Sequence, residues 1–111
     1  MPYVIGGTTV ELEHEPRNLN GPVYVPLREM MEALGGTAGW DKTTHTADAT
    51  LAGRAARIFP NSTTISRGGQ SVNLSVPPVM AEGVTWVPVE FFQAAFGCVA
   101  YADAATNTVT I

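Results

Sequence analysis

The chain has 111 residues, a length typical of one domain with a single hydrophobic core. Apolar residues make up 45% and charged residues 14%, a balance that favours a folded domain over a disordered tail. The formal net charge of −4 argues against nucleic acid as a partner, because phosphate binding requires a concentrated basic surface. No apolar run approaches the ~20 residues that span a bilayer. The opening residues MPYVIGG do not have the pattern of a signal peptide.

The first predicted element is a β-hairpin in which Gly6-Gly7 separates the segments YVI and TTVEL. A glycine pair between two alternating segments is typical of a tight turn, because glycine adopts the positive φ angles that such turns require. Beyond the turn, Val10 and Leu12 alternate with Glu11 and Glu13. This alternation predicts a strand with one buried and one solvated face.

A short helix is predicted after the strand VYV at residues 23–25. Pro26 suits the first helical position, where the missing N–H leaves no helical hydrogen bond unmade. Gly35 is predicted to end the helix in the left-handed conformation. Between them, apolar residues at helical spacing predict one face packed on the sheet. These residues are Leu27, Met30, Met31 and Leu34.

Two strands joined by a polar turn are predicted next, in the segment TAGWD-KTT-HTADATL. Alternating threonines favour strands, and Asp41 at the bend favours a turn because its carboxylate readily accepts hydrogen bonds from the turn backbone. The segment RAARIF at residues 54–59 predicts one more strand before Pro60.

The second half of the chain repeats the first. Residues 1–49 align without a gap on residues 63–111 with fourteen identities, most of them glycine, proline or apolar residues. The alignment predicts the same hairpin, helix and hairpin again, with Pro88 opening the second helix and Gly97 ending it. The sequence therefore predicts one α+β domain over residues 1–111, mainly antiparallel β-sheet with two short helices, built by internal duplication. Because 49 residues bury too little apolar area alone, both units are expected to share one core.

Two segments resemble the copper amine oxidase N-terminal-like domain: VPLREMMEALGGTAGWDKTTHTADATL at residues 25–51 and SVNLSVPPVMAEGVTWVP at residues 71–88. The shared features are an aromatic-Val-Pro step into a helix that ends at glycine, followed by a Trp-Asp hairpin. The resemblance covers nearly the whole chain. It implies a stalk-type module of a bacterial surface protein, with an antiparallel sheet curled around a helix, located outside the cell or in the cell wall.

The resemblance does not extend to amine oxidase catalysis. Activity of that kind would need a tyrosine after asparagine, which becomes the quinone cofactor, and three copper-binding histidines. Here none of Tyr3, Tyr24 and Tyr101 follows asparagine, and the only histidines are His14 and His45. We therefore predict no catalytic residue, no cofactor and no enzymatic activity.

The two histidines and the single cysteine are expected to have structural roles rather than to bind metal or react. His14 and His45 have Val76 and Asn107 at the equivalent positions of the second unit, so the fold does not require imidazole there. No metal site is predicted, since zinc and copper sites need three or four converging ligands. Cys98, the single cysteine, is expected to be a small buried residue.

Trp40 and Tyr101 are the two residues with a credible role in ligand or partner contact. Both lie in predicted hairpins, and aromatic rings on a sheet surface stack on sugars or anchor protein partners. Tyr24 and Trp86, by contrast, occupy equivalent positions just before the Val-Pro step of each unit and are expected in the core.

Two functions are compatible with these features. The first is a non-catalytic stalk or spacer module whose partners are neighbouring domains, other surface proteins or a second copy of the chain. The second is a carbohydrate- or cell-wall-binding module that uses exposed aromatic rings, with Trp40 and Tyr101 as the candidates. It predicts at least two aromatic rings that are exposed and coplanar near one groove.

Overall fold

The computed structural model describes residues 3–18, 22–103 and 108–111. Within these ranges the chain forms short strands and two helices of seven residues each. In chain order they are β1 Tyr3–Ile5, β2 Thr8–Val10, β3 Arg17–Asn18, β4 Val23–Pro26, α1 Leu27–Ala33, β5 Thr37–Asp41, β6 Thr46–Leu51, β7 Arg54–Ile58, β8 Thr64–Arg67, β9 Gln70–Asn73, β10 Val79–Ala81, β11 Val84–Pro88, α2 Glu90–Phe96, β12 Tyr101–Asp103 and β13 Thr108–Thr110.

The strands form three sheets, and the predicted fold class is confirmed. The strand orders are β12-β13-β1-β2, β10-β11-β4-β3 and β5-β6-β7-β8-β9. Among the described strands every pair is antiparallel except β1 with β13, which run parallel. No helix in the described ranges is long and apolar enough to cross a membrane.

The two prolines do not begin the helices, which corrects the prediction. Pro26 ends β4 with extended backbone and α1 begins at Leu27, whereas α2 begins at Glu90, two residues after Pro88. Both prolines are instead paired in the central sheet with an aromatic residue of the other unit, which keeps them extended.

The central sheet joins the two units symmetrically. In the antiparallel pair of β4 and β11, Val25 lies opposite Val87, its own equivalent at an offset of 62 residues. On either side, Tyr24 pairs with Pro88 and Trp86 pairs with Pro26. An antiparallel register centred on two equivalent residues is the arrangement expected of a two-fold axis.

Each of the other sheets combines the first hairpin of one unit with the last hairpin of the other. Strands β5 and β6 share a sheet with β8 and β9, and strands β12 and β13 share a sheet with β1 and β2. The difference between them is β7, which comes from the segment linking the units and lies between β6 and β8. This architecture fits two copies of one unit, and the duplication itself stays a prediction.

One apolar core contains residues of both units. The helical stripes predicted from the sequence point into it, with Met30, Met31 and Phe92 fully buried and Leu34 at its edge. Cys98 is only half-buried and packs against this core. Two rings expected inside, Tyr24 and Trp86, are also buried.

The turn between β5 and β6 is held by Asp41, as predicted. One carboxylate oxygen of Asp41 accepts hydrogen bonds from the backbone N–H groups of Thr43 and Thr44, at 2.8 and 3.3 Å. These two donors hold the pKa of Asp41 below its usual range, because they favour the ionised carboxylate. The equivalent turn after Asp103 lies at residues 104–107, outside the described residues.

Candidate functional site

A surface cleft of about 510 Å³ lies beside helix α1. We call it the first cleft. Its walls are α1, strand β5, the segment that follows β2, and the hairpin of β10 and β11. The residues lining it include one large aromatic ring, several carboxylates and a methionine. They are Glu13, His14, Pro26, Leu27, Arg28, Glu29, Glu32, Ala38, Gly39, Trp40, Met80, Gly83, Val84 and Thr85.

Trp40 lies on β5, at the edge of its sheet, and lines the first cleft. Its side chain is 37% exposed, and its ring meets the ring of His45 edge-on at a centroid distance of 6.4 Å. The indole is therefore accessible to a ligand and is supported from one side. Its role in binding stays a prediction.

His14 and Glu29 form a close pair at the same cleft. Glu29, in the first turn of α1, accepts a hydrogen bond at Oε1 from the backbone N–H of His14 at 3.0 Å. Its other carboxylate oxygen contacts Nδ1 of the His14 ring. The carboxylate thus ties the segment after β2 to the start of the helix.

Two further contacts hold His14 in place. The hydroxyl of Tyr3 donates a hydrogen bond to the backbone carbonyl of His14 at 3.0 Å, and the ring of Trp86 meets the imidazole edge-on at 5.9 Å. Burial raises the pKa of Tyr3, and the negative charges of Glu29 and Glu15 raise it further. Tyr3 therefore stays protonated and remains a donor at neutral pH.

The ring of Trp86 is covered by the side chain of Arg17. The guanidinium of Arg17 lies 4.5 Å from the centroid of the indole ring, and Arg17 is 4.0 Å from the carboxylate of Glu82. The guanidinium is attracted by the electron-rich face of the ring, so this contact shields Trp86 from solvent.

A second cleft, of about 340 Å³, lies at the start of helix α2. Every residue lining it is offset by 62 positions from a residue that lines the first cleft. The clefts are therefore equivalent features of the two units. The lining residues are Pro22, Val23, Ser75, Val76, Pro88, Val89, Glu90, Ala100, Tyr101 and Ala102.

The two residues predicted to contact a ligand or partner lie in different clefts. Tyr101 is 50% exposed in the second cleft, whereas Trp40 lies in the first. The expectation of both rings near one groove is therefore wrong for this pair. Counting only the residues that the structure describes, each cleft has one large exposed aromatic ring, contributed by the edge strand β5 or β12.

The second unit contains its own version of the carboxylate tie. Glu90, the first residue of α2, accepts hydrogen bonds from the backbone N–H of Ser75 at 2.7 Å and from its hydroxyl at 3.0 Å. As with Glu29 and His14, the partners are 15 residues apart.

Sequence reasoning missed both ties. An offset of 62 residues places Glu90 opposite Arg28, whereas the residue of the first unit that makes the same contact as Glu90 is Glu29, one residue further on. The sequence does contain one signal for these contacts, a glutamate in the first turn of each helix. The ungapped alignment did not show it, because it pairs neither glutamate with the other.

Glu13, His14 and Glu29 bring their potential metal-ligating atoms within 4.8 Å of one another. His45, the other histidine, is not part of this group; it lies in the turn after β5, against Trp40. Among the described residues, the group combines one imidazole with two carboxylates. Glu13 is exposed, and the other two side chains are half-buried.

The fold and its paired clefts define a small α+β module in which two similar units complete one core. The chain matches the family model of the copper amine oxidase N-terminal domain over residues 4–111. It belongs to that family, as the resemblance predicted, and in the family this domain is a non-catalytic module. No curated protein matches the chain.

Proposed function

We propose that the chain is a non-catalytic stalk or spacer module of a bacterial cell-surface or secreted protein, set between neighbouring domains. The non-catalytic character of the family supports this proposal. So does the composition, since two histidines in the whole sequence are too few for a three-histidine copper site within one chain. Turnover of amines by the purified chain with added copper would contradict it.

The observation that carries the proposal is the parallel pairing of β1 with β13. Tyr3 lies opposite Val109 and Val4 opposite Thr110. The pairing continues through two hydrogen bonds, from the N–H of Ile111 to the carbonyl of Val4 at 2.9 Å and from the N–H of Gly6 to the carbonyl of Ile111 at 3.1 Å.

Parallel strands run in the same direction, so segments attached before β1 and after β13 would leave at opposite ends of this sheet. A module connected in this way separates its neighbours. Tension between its ends also pulls β1 and β13 past each other, along the strands. The hydrogen bonds between them are then loaded together, whereas bonds at the open end of a hairpin break one at a time.

Force spectroscopy tests this geometry directly. When the protein is pulled through its two chain ends, we expect a rupture force clearly higher than when the same protein is pulled through cysteines placed at Thr37 and Thr50. These two exposed residues lie opposite each other at the open end of the hairpin of β5 and β6. Cys98 is replaced by alanine in all variants so that the handles attach at one pair of sites.

The comparison is made at one pulling speed. The Thr37→Cys and Thr50→Cys variant is first shown to melt at the same temperature as the parent. Equal forces in both directions, or a weaker end-to-end direction, would contradict the proposed role as a tension-bearing spacer.

A second function, binding of cell-wall polysaccharide, does not have the predicted pair of rings in one groove and depends on a single ring. Trp40 is exposed at the wall of the first cleft, which is also lined by polar side chains that can bind sugar hydroxyls, among them Glu13, Arg28 and Glu32. An indole with this combination stacks on the apolar face of a sugar ring while neighbouring polar groups provide specificity.

We expect cell-wall polysaccharide to change the intrinsic tryptophan fluorescence of the parent. We also expect Trp40→Ala to abolish at least 90% of the binding measured by co-sedimentation with insoluble polysaccharide, a readout that does not depend on the tryptophan. The protein has only two tryptophans, and the other, Trp86, is 1% exposed, so the signal would report Trp40. Tyr101→Ala is the matched control, because it removes an exposed ring from the second cleft. Unchanged fluorescence at saturating polysaccharide would rule out this second function.

A further inference from the structure

We propose that Glu13, His14 and Glu29 bind a divalent transition-metal ion, with Zn²⁺ as the representative ion, at the wall of the first cleft. Neither the family match nor the non-catalytic role assigns such a site. The proposal concerns the binding of an ion and is independent of the spacer function.

The donor set suits such an ion. Ligand atoms of the three side chains already lie within 4.8 Å of one another. Zinc with bonds of about 2.0–2.2 Å holds neighbouring ligand atoms roughly 3.3 Å apart. The ion would therefore enter between Glu29 and the His14 ring, which now contact each other directly, while the exposed Glu13 side chain supplies the third ligand. An imidazole beside carboxylates favours first-row transition metals over Ca²⁺ and Mg²⁺, which prefer oxygen ligands alone.

The imidazole is held in place before any ion binds. The backbone N–H of His14 donates to Glu29, its carbonyl accepts from Tyr3, and Trp86 packs against the ring edge-on. These contacts orient the residue before an ion arrives, as outer-shell partners do around established metal sites. The remaining coordination positions would face the cleft, where water or a ligand has access.

The carboxylate tie alone does not explain these side chains. In the second unit Glu90 makes the same tie to Ser75 without an imidazole. At the 62-residue offset, Ser75, Val76 and Phe91 stand where the first unit has the three proposed ligands. Among the described residues, the second unit therefore keeps the carboxylate tie without an equivalent ligand group, and it serves as an internal negative control.

Isothermal titration of the untagged protein with Zn²⁺ at neutral pH tests the proposal. We expect one saturable site per chain, weakened at least tenfold by His14→Gln. The glutamine amide can still donate to Glu29, so the tie is retained while the strong nitrogen ligand is lost. Glu13→Gln is an independent variant in which only an exposed carboxylate changes, and we expect it to weaken binding several-fold.

The matched control is His45→Asn. His45 has a positive φ of 54°, a conformation that asparagine also tolerates, so this variant removes the other histidine without straining its turn. We expect it to bind Zn²⁺ within twofold of the parent, and Zn²⁺ to raise the melting temperature of both. Proton–nitrogen correlation spectra confirm that each variant is folded.

Three results would overturn the proposal: no saturable Zn²⁺ binding to the folded parent, binding that Glu13→Gln leaves unchanged, or binding lost on His45→Asn. Ca²⁺ bound as tightly as Zn²⁺ would also contradict it, because that would indicate carboxylates acting without the imidazole. None of these outcomes bears on the force measurement, so the two proposals fail separately.

Discussion

Replacing Phe91 with alanine is expected to destabilise the protein by about 3–5 kcal/mol, a large part of the roughly 5–15 kcal/mol that stabilises a typical domain. Phe91 is fully buried. Its ring meets Phe92 edge-on at 5.2 Å and Phe96 at 5.9 Å, so the substitution leaves a cavity at the centre of an aromatic cluster. Denaturant unfolding followed by circular dichroism measures the loss.

Tyr101→Ala is the control for this prediction. It removes a ring of similar size from a position that is 50% exposed, so the expected loss is about 1 kcal/mol or less. Similar losses for both variants would mean that the aromatic cluster does not dominate the stability of the core.

Gly36→Ala is expected to have the second largest effect, a destabilisation of about 1–3 kcal/mol by overpacking. A Cβ atom at Gly36 would overlap the backbone carbonyl oxygen of Thr50 and lie 2.9 Å from Cε of Met31. Thr50 is part of β6, so its backbone carbonyl cannot move aside without separating the helix from the sheet, whereas Cε is the end of the flexible Met31 side chain and can shift. Thermal unfolding by calorimetry measures this effect.

The neighbouring glycine provides the control. A Cβ atom at Gly35 would meet no atom within 4 Å, and the cost there is only the strain of φ = +86°, about 1 kcal/mol. We expect Gly36→Ala to lower the melting temperature more than Gly35→Ala. The reverse order would show that backbone conformation matters more than close packing at this corner.

The two clefts have the same backbone elements as walls but different side chains, so the two units can bind different ligands. The walls come from the same elements in each unit, while the side chains on them differ. The first cleft has an imidazole, a tryptophan and several carboxylates, whereas the second has Tyr101 and Ser75 at its wall. The proposed Zn²⁺ site is therefore a property of the first unit alone.

Much of the fold could be predicted because its signals are local. Gly6-Gly7 and Gly68-Gly69 mark hairpins in which strands β1 and β2, and β8 and β9, pair as expected. Gly35 and Gly97 follow the helices with φ angles of 86° and 72°. In each case one residue type is required by the backbone at that position, so the sequence shows it directly.

The exposed state of Trp40 and the partner of Glu29 could not be predicted in the same way. Trp40 is accessible because β5 is an edge strand, a property of the whole sheet. Glu29 contacts His14, which lies 15 residues earlier in the chain and on a different element. Spacing along one helix or strand contains no information about such a pair.

By itself, the sequence determined both helices, most of the strands, the recurrence of the pattern at an offset of 62 residues and most of the core, because glycine, proline and apolar periodicity act within a few residues. It did not predict the short strands β3 and β10 or the half-buried position of Cys98. Only the tertiary structure decided that Pro26 and Pro88 belong to a sheet shared by both units, that β1 pairs with β13 in parallel, and that Gly36 must lack a side chain. These features depend on contacts between residues far apart in the chain, whose partners become neighbours only when the two units close on one core.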